Sequence, residues 1–267
     1  MTNVPAATQA LAMLRLLARH AEPLPAATIA RELGLPRSST YHLLAVLREA
    51  GFVSHLGDDR RWGLGVAAYE LGSAYSRQAP LQRIARPVLR QLVDSTTHNA
   101  HLVVLHGNDV LYVIEERAPG RPSLVTDVGV RLPAQLTASG LAILAALPAR
   151  QVRALFSEPD DFVLRHGGGP RSLTALRSEL AQVRRRGHAI EEGLVTPGLS
   201  SVGAAVVDHT GHPVAGLAVT YPYDSLTGSE RQQMITALTS AATDLSRRLG
   251  HRLDDSSVAT HSVVDGH

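Results

Sequence analysis

Apolar residues recur every three or four positions through the first fifth of the chain, and the period then changes to two over several later stretches. In residues 9–20, Leu11, Leu14, Leu17 and Ala18 mark the inward side of a first helix, preceded by a frayed arm before about Thr8 and ended by Pro23 and Pro25. Residues 26–33, AATIAREL, read as a short amphipathic helix, and Gly34 lets the chain turn before Pro36 opens the next one. That third helix, residues 36–50, has Leu43, Leu44, Leu47 and Ala50 as its inward set. The pair is a helix-turn-helix signature. Gly51 closes it, residues 52–56 alternate as a strand, Gly57, Asp58 and Asp59 turn the chain, and Trp62, Gly63 and Leu64 return as a second strand. The spacing therefore predicts a two-stranded wing behind the second helix of the motif.

Residues 66–78 form a helix of mixed polarity, and residues 81–96 a long amphipathic one with Ile84, Val88, Leu89 and Leu92 facing inward. Strands follow over 101–107 and 109–116, joined by the hairpin signal Gly107-Asn108-Asp109, with another over 123–127. Residues 137–147 are apolar and rich in small residues and predict a buried helix whose first turn can offer backbone N–H groups to an anion. A helical turn over 151–156, a loop over 158–169 and a charged helix over 172–186 ended by Gly187 come next. Three strands over 188–192, 200–208 and 213–221 and a closing helix over 227–249 complete the pattern. The reading is an α+β chain. It has a winged helix-turn-helix over 1–65, a linker helix over 66–79, an antiparallel sheet of five or six strands flanked by helices over 80–250, and a disordered tail over 251–267.

Length agrees with this division, because 267 residues suit about two domains of roughly 70 and 180 residues. Composition, 44% hydrophobic and 19% charged, is that of a globular protein, and no apolar run approaches the about 18 residues that span a membrane. With no secretory signal pattern either, the expected location is the cytoplasm. The absence of cysteine excludes disulfides, thiolate metal sites and cysteine nucleophiles. All 26 basic residues counted as Lys and Arg are arginines, yet the net charge of +2 is too small to argue for nucleic acid by itself. One helix face points to nucleic acid instead. Arg37, Ser38, Ser39, Tyr41, His42 and Arg48 present donors and no acid, and Arg60 and Arg61 on the wing can reach phosphate or a neighbouring minor groove of double-stranded DNA.

Five stretches, taken in order and spacing, make the chain similar to a known family. They are LPRSSTYHLLAVLREAGFV (35–53), LGSAY (71–75), HLVVLHG (101–107), RLPAQLTASGLAILAAL (131–147) and RRRGHAIEEGLVTPGLSSVGAAVVD (184–208). The chain resembles an IclR-family transcriptional regulator from residue 9 to 250. The resemblance implies a GAF-like effector-binding domain, dimers or dimers of dimers, and repression or activation of a nearby operon, repression being preferred. It also implies an effector pocket against the turn Thr137-Ala138-Ser139-Gly140, with Glu191 and Ser201 across from it and Leu124, Leu132 and Leu199 as walls. In that setting the N–H groups of Ala138 and Ser139 hold a carboxylate, and Ser139 and Ser201 donate. Glu191 accepts from a ligand hydroxyl or N–H.

Two departures bear on specificity. Tyr41-His42 stands where such regulators often have His-Arg, so no operator sequence carries over. Gln135 and Leu141 replace a His and a Lys near the pocket turn, which points to a neutral or aromatic carboxylic effector rather than a small dianion.

Rival readings have less support. A hydrolase built on Ser139, His188 and Glu191 lacks a nucleophile-elbow motif and an identifiable His partner, so neither catalysis nor a cofactor is expected. A metal site from His98, His101 and His106 is opposed by strand alternation, which puts His101 and His106 on opposite faces. A ligand-sensing protein-interaction module without operator binding is the remaining alternative.

Overall fold

The computed structural model describes residues 4–56, 60–78, 80–120 and 127–251. Contacts group the chain into two compact units, Met1–Pro80 and Leu81–His267. Among the described residues no helix is long and apolar enough to cross a membrane.

The first unit has helices α1 (Pro5–Arg19), α2 (Ala26–Glu32), α3 (Arg37–Glu49) and α4 (Val66–Gln78), with strands β1 (Leu24–Pro25), β2 (Val53–Leu56) and β3 (Arg61–Leu64). Its core joins Met13, Leu16 and Leu17 of α1, Ile29 of α2, and Leu44 and Leu47 of α3 to Val53 and Trp62. Two inward faces differ from the sequence reading. On α1, Leu11 is 56% exposed while Met13 and Leu16 are buried, and the helix already begins at Pro5 where a frayed arm was expected. On α3, Ala50 is exposed and Thr40 is buried, its hydroxyl donating to the Pro36 carbonyl at 3.0 Å. A polar side chain that satisfies itself on the preceding turn can face a core, which apolar spacing alone does not reveal. The wing has three strands rather than two, because Leu24 and Pro25 pair with Trp62 and Arg61. The wing turn Gly57-Asp58-Asp59 lies outside the described residues.

In the second unit a six-stranded antiparallel sheet runs between two helical layers. Its strands are β4 (Asn99–His106), β5 (Asp109–Glu116), β6 (Arg131–Pro133), β7 (Ala189–Glu192), β8 (Leu199–Val207) and β9 (Pro213–Pro222). Their order is β6-β5-β4-β9-β8-β7, so the two hairpins formed by β4–β5 and β8–β9 meet where β4 pairs with β9. The strand expected over 123–127 falls mostly outside the described residues, and Asp127 belongs to no strand; the edge position is filled by Arg131–Pro133, which pairs with β5. One face of the sheet is covered by α5 (Pro80–Thr96) and α9 (Gly228–Arg248) through Leu89, Leu92, Met234, Leu238 and Leu245. The other face carries α6 (Ala138–Ala146) and α8 (Leu173–Arg186), beside the short α7 (Ala149–Leu155). His251, expected in a disordered tail, turns its ring nitrogen to the Asp208 carbonyl at 3.2 Å; the rest of that tail lies outside the described residues.

The position of α6 fixes the site. Residues 138–145 are all buried, as a helix without a polar face requires. Its first turn lies against bare backbone: a Cβ on Gly203 of β8 would stand 2.3 Å from the Ala138 carbonyl, and one on Gly216 of β9 would stand 2.5 Å from the Ser139 oxygen. Any larger residue at either place would push the helix off the sheet. Arg184 of α8 closes the far end of α6, donating from Nε to the Ala145 carbonyl at 2.7 Å.

Candidate functional site

On α3, the residues turned away from the core are those the sequence singled out. Arg37, Ser38, Tyr41, His42 and Arg48 are exposed and Ser39 is half-buried. Tyr41 leaves 56% of its surface open, so its ring and hydroxyl are accessible on this face. The acidic Glu49 comes only at the helix end, so the first three turns offer donors to an anionic surface. On the wing, Arg60 is exposed with φ +49°. Arg61 is less free, since its guanidinium donates to the Pro23 carbonyl at 3.2 Å and lies 3.9 Å from Glu22.

In the second unit the sheet face beneath α6 carries a polar row. Strand register sets it: Glu191 of β7 lies opposite Ser201 of β8, Ser201 opposite Thr220 of β9, and Ala218, two residues before Thr220, opposite His101 of β4. With Tyr112 from β5 and Thr137, Ala138 and Ser139 from the start of α6, these residues line a cleft. Val195, Thr196 and Leu199 complete the wall.

The polar groups of the cleft differ in how far they are already engaged. Thr137 caps α6 by accepting the Gly140 N–H at 3.0 Å, while the N–H groups of Ala138 and Ser139 open the helix where no intrahelical carbonyl reaches them. The hydroxyls of Ser201 and Thr220 bond one another at 2.9 Å. Oε1 of Glu191 accepts the N–H groups of Leu194, at 2.5 Å, and Val195, at 3.2 Å, so it closes its own loop. Burial raises the Glu191 carboxyl above its ordinary value, and those two N–H groups with the Ser201 hydroxyl pull the other way. Burial and then the Glu191 charge raise the Tyr112 phenol, which stays neutral. His101 is 1% exposed and its pKa is lowered to about 4, first by burial and then by the positive Arg117. The Ser139 hydroxyl faces Tyr112 but, like both ring nitrogens of His101, makes no hydrogen bond of ordinary geometry. The cleft thus combines neutral donors and acceptors, one constrained carboxylate and a helix N-terminus, with no cation among its lining residues.

Of the residues read from the sequence, the structure brings Ala138, Ser139, Glu191, Leu199 and Ser201 together here. Leu132 is not with them; it packs in the core beside its strand partner Val110. Leu124 lies outside the described residues. Thr137, part of the turn expected to border the pocket, lines it too, whereas His101, Tyr112, Val195, Thr196, Ala218 and Thr220 were missed. Gln135 and Leu141 border a separate groove with Glu179 and Arg186, and Gln135 Nε2 donates to the Val163 carbonyl at 3.0 Å. His106 is exposed at the end of β4 while His101 is buried, and among the described residues no cluster of His and carboxylates has a metal-holding arrangement.

Comparison with known proteins covers both units. Residues 6–57 match the IclR helix-turn-helix domain, and residues 73–247 match the bacterial transcriptional regulator IclR C-terminal domain. The chain is 30% identical over 250 residues to the glycerol operon regulatory protein of Streptomyces coelicolor, covering 93% of this chain and 97% of that one. It is 25% identical over 250 residues to the acetate operon repressor of Salmonella typhimurium, covering 93% and 91% respectively. Among solved structures, an IclR homologue from Microbacterium hydrocarbonoxydans complexed with 4-hydroxybenzoate shares the fold. Its TM-score is 0.76 at 22% identity, over 91% of this chain and 98% of that one.

Proposed function

We propose that this chain, which belongs to the IclR family of bacterial transcriptional regulators, represses an operon by binding its operator through α3 and the wing, under control of a small carboxylic acid held beneath α6. The family consists of DNA-binding regulators and not of enzymes. The DNA-binding part of the proposal assigns base or phosphate contacts to Arg37, Ser38, Ser39, Tyr41, His42 and Arg48, and phosphate contacts to Arg60 and Arg61. Its main support is the exposed face of α3, rich in donors and free of acid over its first three turns.

For the effector, the N–H groups of Ala138 and Ser139 take the carboxylate, and Leu199 with Val195 meets the apolar body. Leu132 packs in the core beside Val110 and not on that wall, and Leu124 keeps only the role implied by resemblance. A lining without a cation favours a monocarboxylic over a dianionic ligand, and the relative complexed with 4-hydroxybenzoate supports an aromatic one. The protein acts in the cytoplasm as a dimer or dimer of dimers. Leu11, Val66, Tyr69 and Leu71, apolar and exposed on α1 and α4, supply surface for self-association. Ligand binding shifts the population between assemblies that differ in operator affinity.

Gel-shift titration on the DNA upstream of its own gene tests the assignment of α3. Arg37→Ala and Tyr41→Ala are each expected to lose on the order of 1 to 3 kcal/mol of binding. Unchanged affinity for both variants at every salt concentration would contradict it.

A further inference from the structure

We infer that His101 is a specificity-determining residue of the cleft under α6, reading a neutral hydroxyl that the effector carries away from its carboxylate. The inference rests on the reading of that cleft as the effector site, and it starts from an imbalance in hydrogen bonding. His101 is buried, lines the cleft, and among the described residues neither Nδ1 nor Nε2 has a hydrogen-bond partner. Nearly all buried polar side chains in folded proteins are satisfied, and an imidazole with both nitrogens bare is a costly group to keep inside a core. Its nearest ring neighbour, Tyr112, meets it edge-on at 5.7 Å, which gives packing but no partner for the ring nitrogens.

The chemistry of the missing partner follows from the state of the ring. Burial and the nearby Arg117 keep His101 neutral at ordinary pH, so it offers one N–H donor and one lone pair, the same complement as an alcohol or phenol. It does not offer a charge to a carboxylate. Ser139 Oγ, which faces the Tyr112 phenol, sits on the first turn of α6 beside the N–H groups suited to an anion. His101 is also a diagonal neighbour of Thr220 across the β4–β9 ladder, roughly 7 to 8 Å away at the backbone. His101, Ala138 and Ser139 line the same cleft, so a ring carrying a carboxylate at one end and a hydroxyl at the other presents one group to each. The ligand class is therefore a hydroxylated monocarboxylic acid, and His101 separates it from the deoxy analogue.

Calorimetry with benzoate and 4-hydroxybenzoate tests this on the full chain. Wild type is expected to prefer 4-hydroxybenzoate by about tenfold or more, the worth of one buried hydrogen bond. In His101→Phe that ratio falls below about threefold, while His101→Gln, which keeps a donor and an acceptor, retains part of it. Equal binding of the two acids by wild type, or an undiminished ratio in His101→Phe, overturns the role of His101 alone. If neither acid binds wild type, or if Ser139→Trp binds both as well as wild type, the cleft is not the effector site and the inference falls with it. Wild-type protein labelled with 15N-histidine gives a reading independent of how the Phe variant folds: the ring-nitrogen signals absent from His101→Gln shift with 4-hydroxybenzoate and not with benzoate. No shift with either acid overturns the inference.

Discussion

Gly203 of β8 lies so close to Ala138 of α6 that a Cβ on the glycine would stand 2.3 Å from the alanine carbonyl carbon and oxygen. Backbone against backbone is what lets the first turn of α6 sit on the sheet, and Gly216 makes the same approach to Ser139. Replacing Gly203 or Gly216 by Ala is expected to destabilise the protein by about 1 to 3 kcal/mol, since neither neighbour is a side chain free to swing away. Gly228→Ala is the control: it opens α9 with nothing within 4 Å, and it should be neutral. Urea denaturation checks the set. Equal midpoints for Gly203→Ala and Gly228→Ala would show that α6 is not seated as described.

Salt dependence separates phosphate contacts from base contacts at the proposed operator surface. Arg60→Ala is expected to weaken binding and to reduce the slope of log affinity against log salt by about 1, as loss of one phosphate contact does. Tyr41→Ala should weaken binding with the slope unchanged, because a phenol displaces no counterion. Arg61→Ala should do less than Arg60→Ala, its guanidinium being held by the Pro23 carbonyl. Fluorescence anisotropy between about 50 and 200 mM salt reads all three.

His101 also links stability to pH. Its pKa of about 4 in the fold lies below the ordinary 6.5, so between those values the unfolded chain binds more protons than the folded one. The stabilisation is present above pH 6.5 and is lost as the pH falls toward 4, by up to about 3 kcal/mol. Glu191 opposes this: burial raises its carboxyl, so its contribution grows as the pH falls through its folded value. Comparing wild type with His101→Gln cancels the Glu191 part. Wild type should lose more in melting temperature than the variant between pH 7 and pH 5; equal losses would mean that His101 titrates as in the unfolded chain.

Local periodicity made most elements legible and the assembled cleft only half so. The helix of residues 137–147 could be read as buried because it has no polar side, and the α3 face because its donors fall on one arc. Tyr112, His101 and Thr220 could not be placed from local pattern, because their convergence depends on β4 pairing with β9 more than a hundred residues away. The correct inference that His101 and His106 face opposite ways was used only to oppose a metal site. It held the clue that one of them points into the protein. Leu132 went wrong for the complementary reason: apolar residues on one sheet face look alike in sequence whether they border a cleft or fill the core behind it.

The most direct test of effector control is the affinity of labelled upstream DNA for wild type and for Ser139→Trp, each measured by anisotropy with and without saturating 4-hydroxybenzoate. The acid is expected to change the operator affinity of wild type by at least about fivefold, a coupling of about 1 kcal/mol, and to leave that of Ser139→Trp unchanged. The same change in both proteins, or none in wild type across a panel of aromatic and aliphatic acids, would contradict control of DNA binding from the cleft beneath α6.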